Sequence, residues 1–437
     1  MKNILCLTVG GIVLSDAVLS INGKRKLVGE VTVQGSKNSA LPCLTACGLC
    51  DKGTCRLINC PYLSDVHNTL EILEELGARC TISREEAMAE VSAESLFGDT
   101  ISADMMHRMR SSILFLGAML CRTGEAHVGY PGGCALGARP IDLHLKAFKK
   151  LGVEVEDSRG VIHCRIRDRL KPGSVSLICP SVGATENIIL LMAKSEGETV
   201  IRNAAREPEI VDLQNFINAM GGNVKGAGTD TIVISGVSEL HGADFEIMPD
   251  RIVAVTYMAA AVGCGGKILL RKVNPEHTAM CSFVLRDMGA EIECMDDGIC
   301  VSMNGRPVAA KKIKTLYYPG FPTDAQPQFM AVSSVAKGTT VFVESIFENR
   351  FRQAAELCRM GADIDVNQCQ ATVRGVDCLS GASVEAFDLR GGAAMAIAGL
   401  IADGNTRISG IGHIERGYVD VVSDFKSLGA DIDLKLI

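Results

Sequence analysis

At 437 residues with a formal net charge of −7, the chain is too long for one ordinary domain and too acidic for a general nucleic-acid binder. Apolar residues make up 47% and aromatics only 4%, without Trp, which suits the tightly layered core of an α/β protein. Eighteen cysteines spread over this length lack the density of a small disulfide scaffold and read as cytosolic thiols.

In chain order, MKNILCLTVGGIVLSDA imitates a signal peptide, with a lysine before a short apolar run. The run falls short of the ~20 residues of a membrane span. A non-native upstream start or an extra N-terminal strand is the favoured reading, and no membrane partner is expected. VQGSKNSALP (33–42) places Gly35, Ser36, Lys37 and Asn38 between a strand and a helix. A cation and an amide beside the free N–H groups of a helix start suit a phosphate or carboxylate, and a capped helix with a solvated lysine explains the spacing equally well. CLTACGLC (43–50) has the spacing of an iron–sulfur ligand set, but Pro42 suits a helix's first turn, and Cys43, Cys47 and Cys50 then share one helical face. Buried core thiols are the better reading, and no metal is expected.

YPGGCALGARP (130–140) behaves otherwise. Its glycines and prolines exclude regular structure, so Cys134 sits on an accessible loop with Arg139 nearby. A neighbouring cation lowers a thiol's pKa, which makes Cys134 a candidate nucleophile or general acid. PSVGAT (180–185) and NAAREPE (203–209) look like further loop-to-helix entries. GFPTDAQPQF (320–329) brings Asp324 to the start of an apolar helical run, where it is a helix cap or a working carboxylate. DLRGG (388–392) opens a helix with Asp388 and Arg390, and HIERGY (413–418) offers Arg416 in a loop after a strand.

One pattern runs through the whole chain. An amphipathic helix end, a Leu-Gly or Met-Gly stop and an alternating strand recur with glycines at 77, 152, 221, 289, 361 and 429. Six α/β units of this length imply two domains of three, with the junction near FEIMPDR (245–251).

Taken together, GSKNSALP, MRSSI, PGGCALGARPIDLH, PSVGAT, NAAREPEIVD, GFPTDAQPQF, FENRF, DLRGG and HIERGY, in that order, resemble the UDP-N-acetylglucosamine 1-carboxyvinyltransferases, from about Ile21 to Ile437. The Cys loop separates that group from the related enolpyruvylshikimate-phosphate synthases. The resemblance implies a fold of two inverse α/β-barrel-like domains, each of three βαβαββ repeats. They would comprise residues 37–248, with the Cys134 loop, and residues 1–36 plus 249–437, with Asp324 and Arg416. It implies transfer of the enolpyruvyl group of phosphoenolpyruvate to the 3-hydroxyl of UDP-N-acetylglucosamine, with release of phosphate and without cofactor or metal. The place of that reaction is the cytoplasmic start of peptidoglycan precursor synthesis.

Residue by residue, the family's acid would be Cys134, which can also carry the carboxyvinyl group, and its base Asp324, on opposite domains that close to exclude water. Lys37, Asn38, Arg139, Arg390 and Arg416 would hold phosphoenolpyruvate, with Arg350 close by; Lys37 and Arg416 also count as catalytic. The sugar nucleotide would contact Asn38, Arg110, Arg139, Pro140, Ile141, Asp142, Leu143, Cys179, Pro180, Ser181, Val182, Asp324 and Ile346. Some members carry a lysine where Cys179 stands, which shifts diphosphate binding here toward backbone N–H groups. The partners implied are these two small molecules, and the protein is expected to be a monomer. The shikimate-pathway transferase and a silent UDP-sugar binder are the rival classes. The Cys loop weighs against the first, and the presence of Lys37, Cys134 and Asp324 against the second.

Overall fold

The computed structural model describes residues 8–9, 12–13, 17–96, 98–132, 141–158 and 160–436. Thr8–Val9 and Ile12–Val13 form a short antiparallel pair. The rest falls into two compact units: residues 35–132 with 141–248, and residues 17–34 with 249–436. Each unit holds three four-stranded sheets.

One sheet shows the plan. Ser174–Ser176 runs parallel to Glu198–Arg202, and helix Val182–Met192 crosses between them. A second helix, Pro208–Ala219, leads to the antiparallel strands Val224–Lys225 and Thr231–Ser235. The first helix of such a unit is buried nearly all round. The inner helices of the second unit, Arg251–Cys264, Gln326–Ser333 and Leu389–Ile401, pack on one another as its apolar centre. The second helix is amphipathic and caps the sheet.

All six second helices stop in the same way. Gly77, Gly152, Gly221, Gly289, Gly361 and Gly429 lie at φ between 85° and 103°, where an L side chain is strained. The residue after each glycine donates its N–H back into the last turn, from Ala78 N to Leu73 O at 2.9 Å through Ala430 N to Phe425 O at 2.9 Å. This is the Schellman closure. The strand that follows lies at a sheet edge in every case.

Three sheets are closed by strands from far along the chain. Asp244–Glu246 pairs with Cys55–Ile58, Leu27–Thr32 with Gly266–Arg271, and Ala17–Asn22 fits between Asn405–Ser409 and Asp431–Leu436. No helix among the described residues is long and apolar enough to cross a membrane.

Candidate active site

In a parallel strand–helix–strand unit the helix starts beyond the carboxyl end of the first strand, where α/β sheets place their ligands. Several of the predicted residues stand at or just before helix starts, and each unit carries its own set.

In the unit built on residues 35–248, Ser36 caps helix Lys37–Cys47 by accepting from Ser39 N at 3.3 Å. Lys37 and Asn38 are therefore its first two residues rather than part of a preceding loop. Lys37 is almost fully buried, with its Nζ 2.6 Å from Asp65 Oδ2. Pro42 falls in the helix interior, not in its first turn, and its missing N–H leaves the Asn38 carbonyl without a helical donor.

The helix ends at Cys47, so Cys50 lies just past it instead of on a continuous face. Cys43, Cys47 and Cys50 are nevertheless wholly buried. Burial pushes the Cys43 and Cys47 thiols up; the neighbouring Cys55 thiol and then burial do so for Cys50. They are core groups.

Arg110 opens the short helix Arg110–Leu114, and Ile141 precedes helix Asp142–Lys150. Asp142 pairs with Lys146 at 2.7 Å, which holds its carboxyl below the usual range. Leu143 follows it, half-buried. Cys179 and Pro180 form the approach to helix Val182–Met192, which Ser181 caps by accepting from Ala184 N at 3.3 Å. A helix start leaves the N–H groups of Val182 and Gly183 without intrahelical acceptors, which suits an anion at this turn. Cys134, Arg139 and Pro140 lie outside the described residues.

The sequence reading did not single out His144, although it sits in PIDLH. Buried beside this turn, it accepts on Nδ1 from Asn187 Nδ2 at 2.9 Å, while a Cβ on Gly183 would meet its ring at 3.3 Å. Burial and then the Arg110 charge push His144 down to about 4, so it stays neutral with its proton on Nε2. Asp65 was also missed, since nothing in LSDVHNTL marks it as the partner of Lys37.

In the other unit, Asp324 sits in the short turn Thr323–Ala325 ahead of helix Gln326–Ser333 and does not serve as its cap. Arg350 Nη2 reaches its Oδ1 at 2.9 Å, and Arg390 Nη2 reaches its Oδ2 at 3.0 Å. Both guanidiniums are buried, and Arg350 also donates to Thr323 O. Burial alone would raise the Asp324 pKa. The Arg390 and Arg350 charges outweigh it and hold the carboxylate well below its ordinary range.

Arg390 is placed by Asp388, which caps helix Leu389–Ile401. Arg416 ends the short helix Gly412–Glu415, where the sequence suggested a loop. The Ile346 N–H donates to Glu344 Oε1 at 2.8 Å, which leaves its carbonyl as the group to offer a ligand. Cations at helix starts suit an anion, and beside them one carboxylate is held in its ionised form.

The sequence profile of the EPSP synthase (3-phosphoshikimate 1-carboxyvinyltransferase) family matches residues 21–425. The chain belongs to that family. Within the family it is 49% identical to UDP-N-acetylglucosamine 1-carboxyvinyltransferase 2 of Caldanaerobacter subterraneus subsp. tengcongensis, over 94% of this chain and 98% of that relative. It is 46% identical to UDP-N-acetylglucosamine 1-carboxyvinyltransferase 1 of Staphylococcus aureus strain MRSA252, over the same shares of both chains.

Two solved structures share the fold. The enolpyruvyl transferase NikO from Streptomyces tendae gives a TM-score of 0.87 at 24% identity, over 97% of this chain and all of that one. EPSP synthase from Acinetobacter baumannii gives 0.73 at 20% identity, over 96% of this chain and again all of the other. The six four-stranded sheets are thus those of the two-domain enolpyruvyl transferase fold.

Proposed function

We propose that this protein transfers the enolpyruvyl group of phosphoenolpyruvate to the 3-hydroxyl of UDP-N-acetylglucosamine and releases phosphate, the first committed step of peptidoglycan precursor synthesis in the cytoplasm. The observation that carries this reading is the 49% identity to a UDP-N-acetylglucosamine 1-carboxyvinyltransferase over nearly the full length of both chains.

Cys134 gives a proton to the methylene carbon of phosphoenolpyruvate, and the neighbouring carbon becomes electrophilic. The sugar oxygen adds there while Asp324 takes its proton. Loss of phosphate and of one methyl proton then restores the double bond. Lys37, Arg139 and Arg416 hold the phosphate and carboxylate, with Asn38 and Arg390 beside them. Guanidinium forks match both anions. Arg110, Ile141, Asp142, Leu143, Pro140 and the turn from Cys179 to Val182 hold the sugar nucleotide, with Ile346 offering its carbonyl. Every step is a proton transfer, an addition or an elimination, and none calls for a metal.

A carboxylate clamped by two arginines is a weak base. On this reading the anionic substrate draws Arg350 and Arg390 away from Asp324, and its basicity rises only once the substrate is in place.

The test is phosphate release from phosphoenolpyruvate with UDP-N-acetylglucosamine, in the presence of a chelator. Turnover with shikimate 3-phosphate and none with the sugar nucleotide would overturn the proposal. The phosphonate epoxide fosfomycin mimics the three-carbon anion and should label Cys134 faster with the sugar nucleotide present, sparing Cys43, Cys47 and Cys50. Cys134→Asp should keep activity while resisting the epoxide. A variant dead at every pH that still binds both substrates would replace the acid role with an obligatory covalent one.

A further inference from the structure

Outside the residues discussed so far, the unit built on residues 35–248 carries a group of side chains with a different chemistry. Strands Glu125–Gly129 and Val161–Arg165 pair antiparallel, with His127 directly opposite His163 and Glu125 opposite Arg165. Strand alternation turns Ala126 and Val128 into the core and leaves Glu125 and His127 on the outer face. The two imidazoles stack with centroids 4.0 Å apart. Their Nε2 atoms converge on one carboxylate oxygen: His163 at 2.8 Å and His127 at 3.4 Å from Glu125 Oε1. The three potential ligand atoms all lie within 4.8 Å of one another.

We propose that Glu125, His127 and His163 form a binding site for one borderline divalent cation of the zinc class. Two imidazole nitrogens and a carboxylate oxygen are the donors such ions take, at about 2.0–2.2 Å, with a water completing a tetrahedron. The two nitrogen-to-oxygen separations, 2.8 and 3.4 Å, are already near what a tetrahedral shell of that radius requires, and all three atoms lie within 4.8 Å of one another.

Two adjustments are needed. Each ring must turn about its Cβ–Cγ bond so that its lone pair faces the ion, because stacked rings do not aim at a common point. Their side chains are about one-third exposed, which leaves room for this. Arg165, whose Nε is 3.8 Å from Glu125 Oε1, must also swing away, and at 53% exposure it has the space to do so. The bound ion would tie strand Glu125–Gly129 to Val161–Arg165 outside the catalytic machinery, so turnover in chelator should be unaffected.

The experiment is a zinc soak of crystals of the full chain, with anomalous data collected on both sides of the zinc edge. A chelator-competition titration in solution accompanies it. The expected result is an anomalous peak about 2.0–2.2 Å from His127 Nε2, His163 Nε2 and a Glu125 oxygen. The doubly substituted His127→Gln/His163→Gln protein should bind one zinc equivalent fewer than the wild type, which allows for zinc held by the protein's many thiols. Glu125→Gln, the milder change, should weaken that equivalent by more than about 10²-fold, beyond the roughly 10–100-fold cost of losing an outer partner. No peak at this face together with equal zinc stoichiometry in wild type and double variant would overturn the proposal.

Discussion

The two units share one plan and differ in how they keep charge indoors. Each has three sheets, buried inner helices, and outer helices closed by the same glycine turn. In the unit built on residues 35–248, the buried Lys37 ammonium meets the Asp65 carboxylate. In the other, the Asp324 carboxylate meets two guanidiniums. The lesson is that the fold supplies positions and leaves the sign of the charge open. One unit keeps a cation ready at a helix start, and the other keeps an anion ionised by surrounding it with cations.

The largest break should come at Asp324. Asp324→Asn should lower turnover roughly 10²–10⁴-fold, as for loss of a positioned base, with binding of both substrates retained. Arg350 and Arg390 would then stay buried beside a neutral group, at a stability cost near the low end of the ~3–5 kcal/mol typical of a broken buried pair. Asp324→Ala should cost more, since the amide still accepts hydrogen bonds and a methyl does not. Single-turnover phosphate release and thermal melting measure the two effects separately.

Lys37→Met is the counterpart in the other unit. It removes the ammonium that the buried Asp65 carboxylate faces and should cost about 3 kcal/mol. Lys37→Met/Asp65→Asn should regain most of that stability while staying inactive. If the double variant melts no higher than the single one, the 2.6 Å contact is not what Lys37 contributes to the fold.

A third comparison uses protons. His144 is pushed down to about 4, so acidification from pH 6.5 toward 4 lets the unfolded chain bind a proton that the native chain refuses. The share of stability that His144 carries should fall across that window, by roughly 3 kcal/mol at about 1.4 kcal/mol per unit. His144→Gln should remove this acid loss from the pH profile. Asp424 shifts the other way, raised to about 6 chiefly by burial. Its contribution is present at low pH and is lost as pH rises from about 4 to about 6, so Asp424→Asn should gain of order 1–2 kcal/mol over wild type near neutrality. Urea unfolding at a series of pH values reads both slopes, and equal slopes in wild type and variants would contradict these shifts.

The smallest effect concerns the shared turn. Gly361 lies at φ 95°, and a Cβ added there would meet nothing within 4 Å. Gly361→Ala should therefore cost only the left-handed strain of ~1–2 kcal/mol. At Gly221 a Cβ would also meet the His241 ring at 3.0 Å, and the same change should cost more. Equal losses at both, read by thermal melting, would show that backbone strain alone sets the requirement.

The six glycines were legible because a left-handed helix stop leaves few other choices of residue. The helix starts were legible for the same kind of reason, since Ser36, Ser181 and Asp388 satisfy N–H groups that every helix leaves open. Partnerships across the chain were not. Arg350 and Arg390 stand 26 and 66 residues from Asp324, and no local rule connects them. Asp65 looked like any acid in a helix's first turn. The thiols of 43–50 read correctly as core, yet the helix ended earlier than their spacing suggested, because past Cys47 the chain tightens into three-residue turns, with Gly48 N on Thr45 O and Cys50 N on Cys47 O.

The sheet that holds Ala17–Asn22 has a consequence in time. That strand leaves the ribosome long before its partners Asn405–Ser409 and Asp431–Leu436. The strands of the inserted unit are complete once residue 246 has emerged. At about 5–20 residues per second, synthesis from there to Leu436 takes roughly ten to forty seconds. During that interval the nascent chain carries one finished body and, upstream of it, an unpaired apolar strand that a chaperone must shield or that a neighbouring chain can capture.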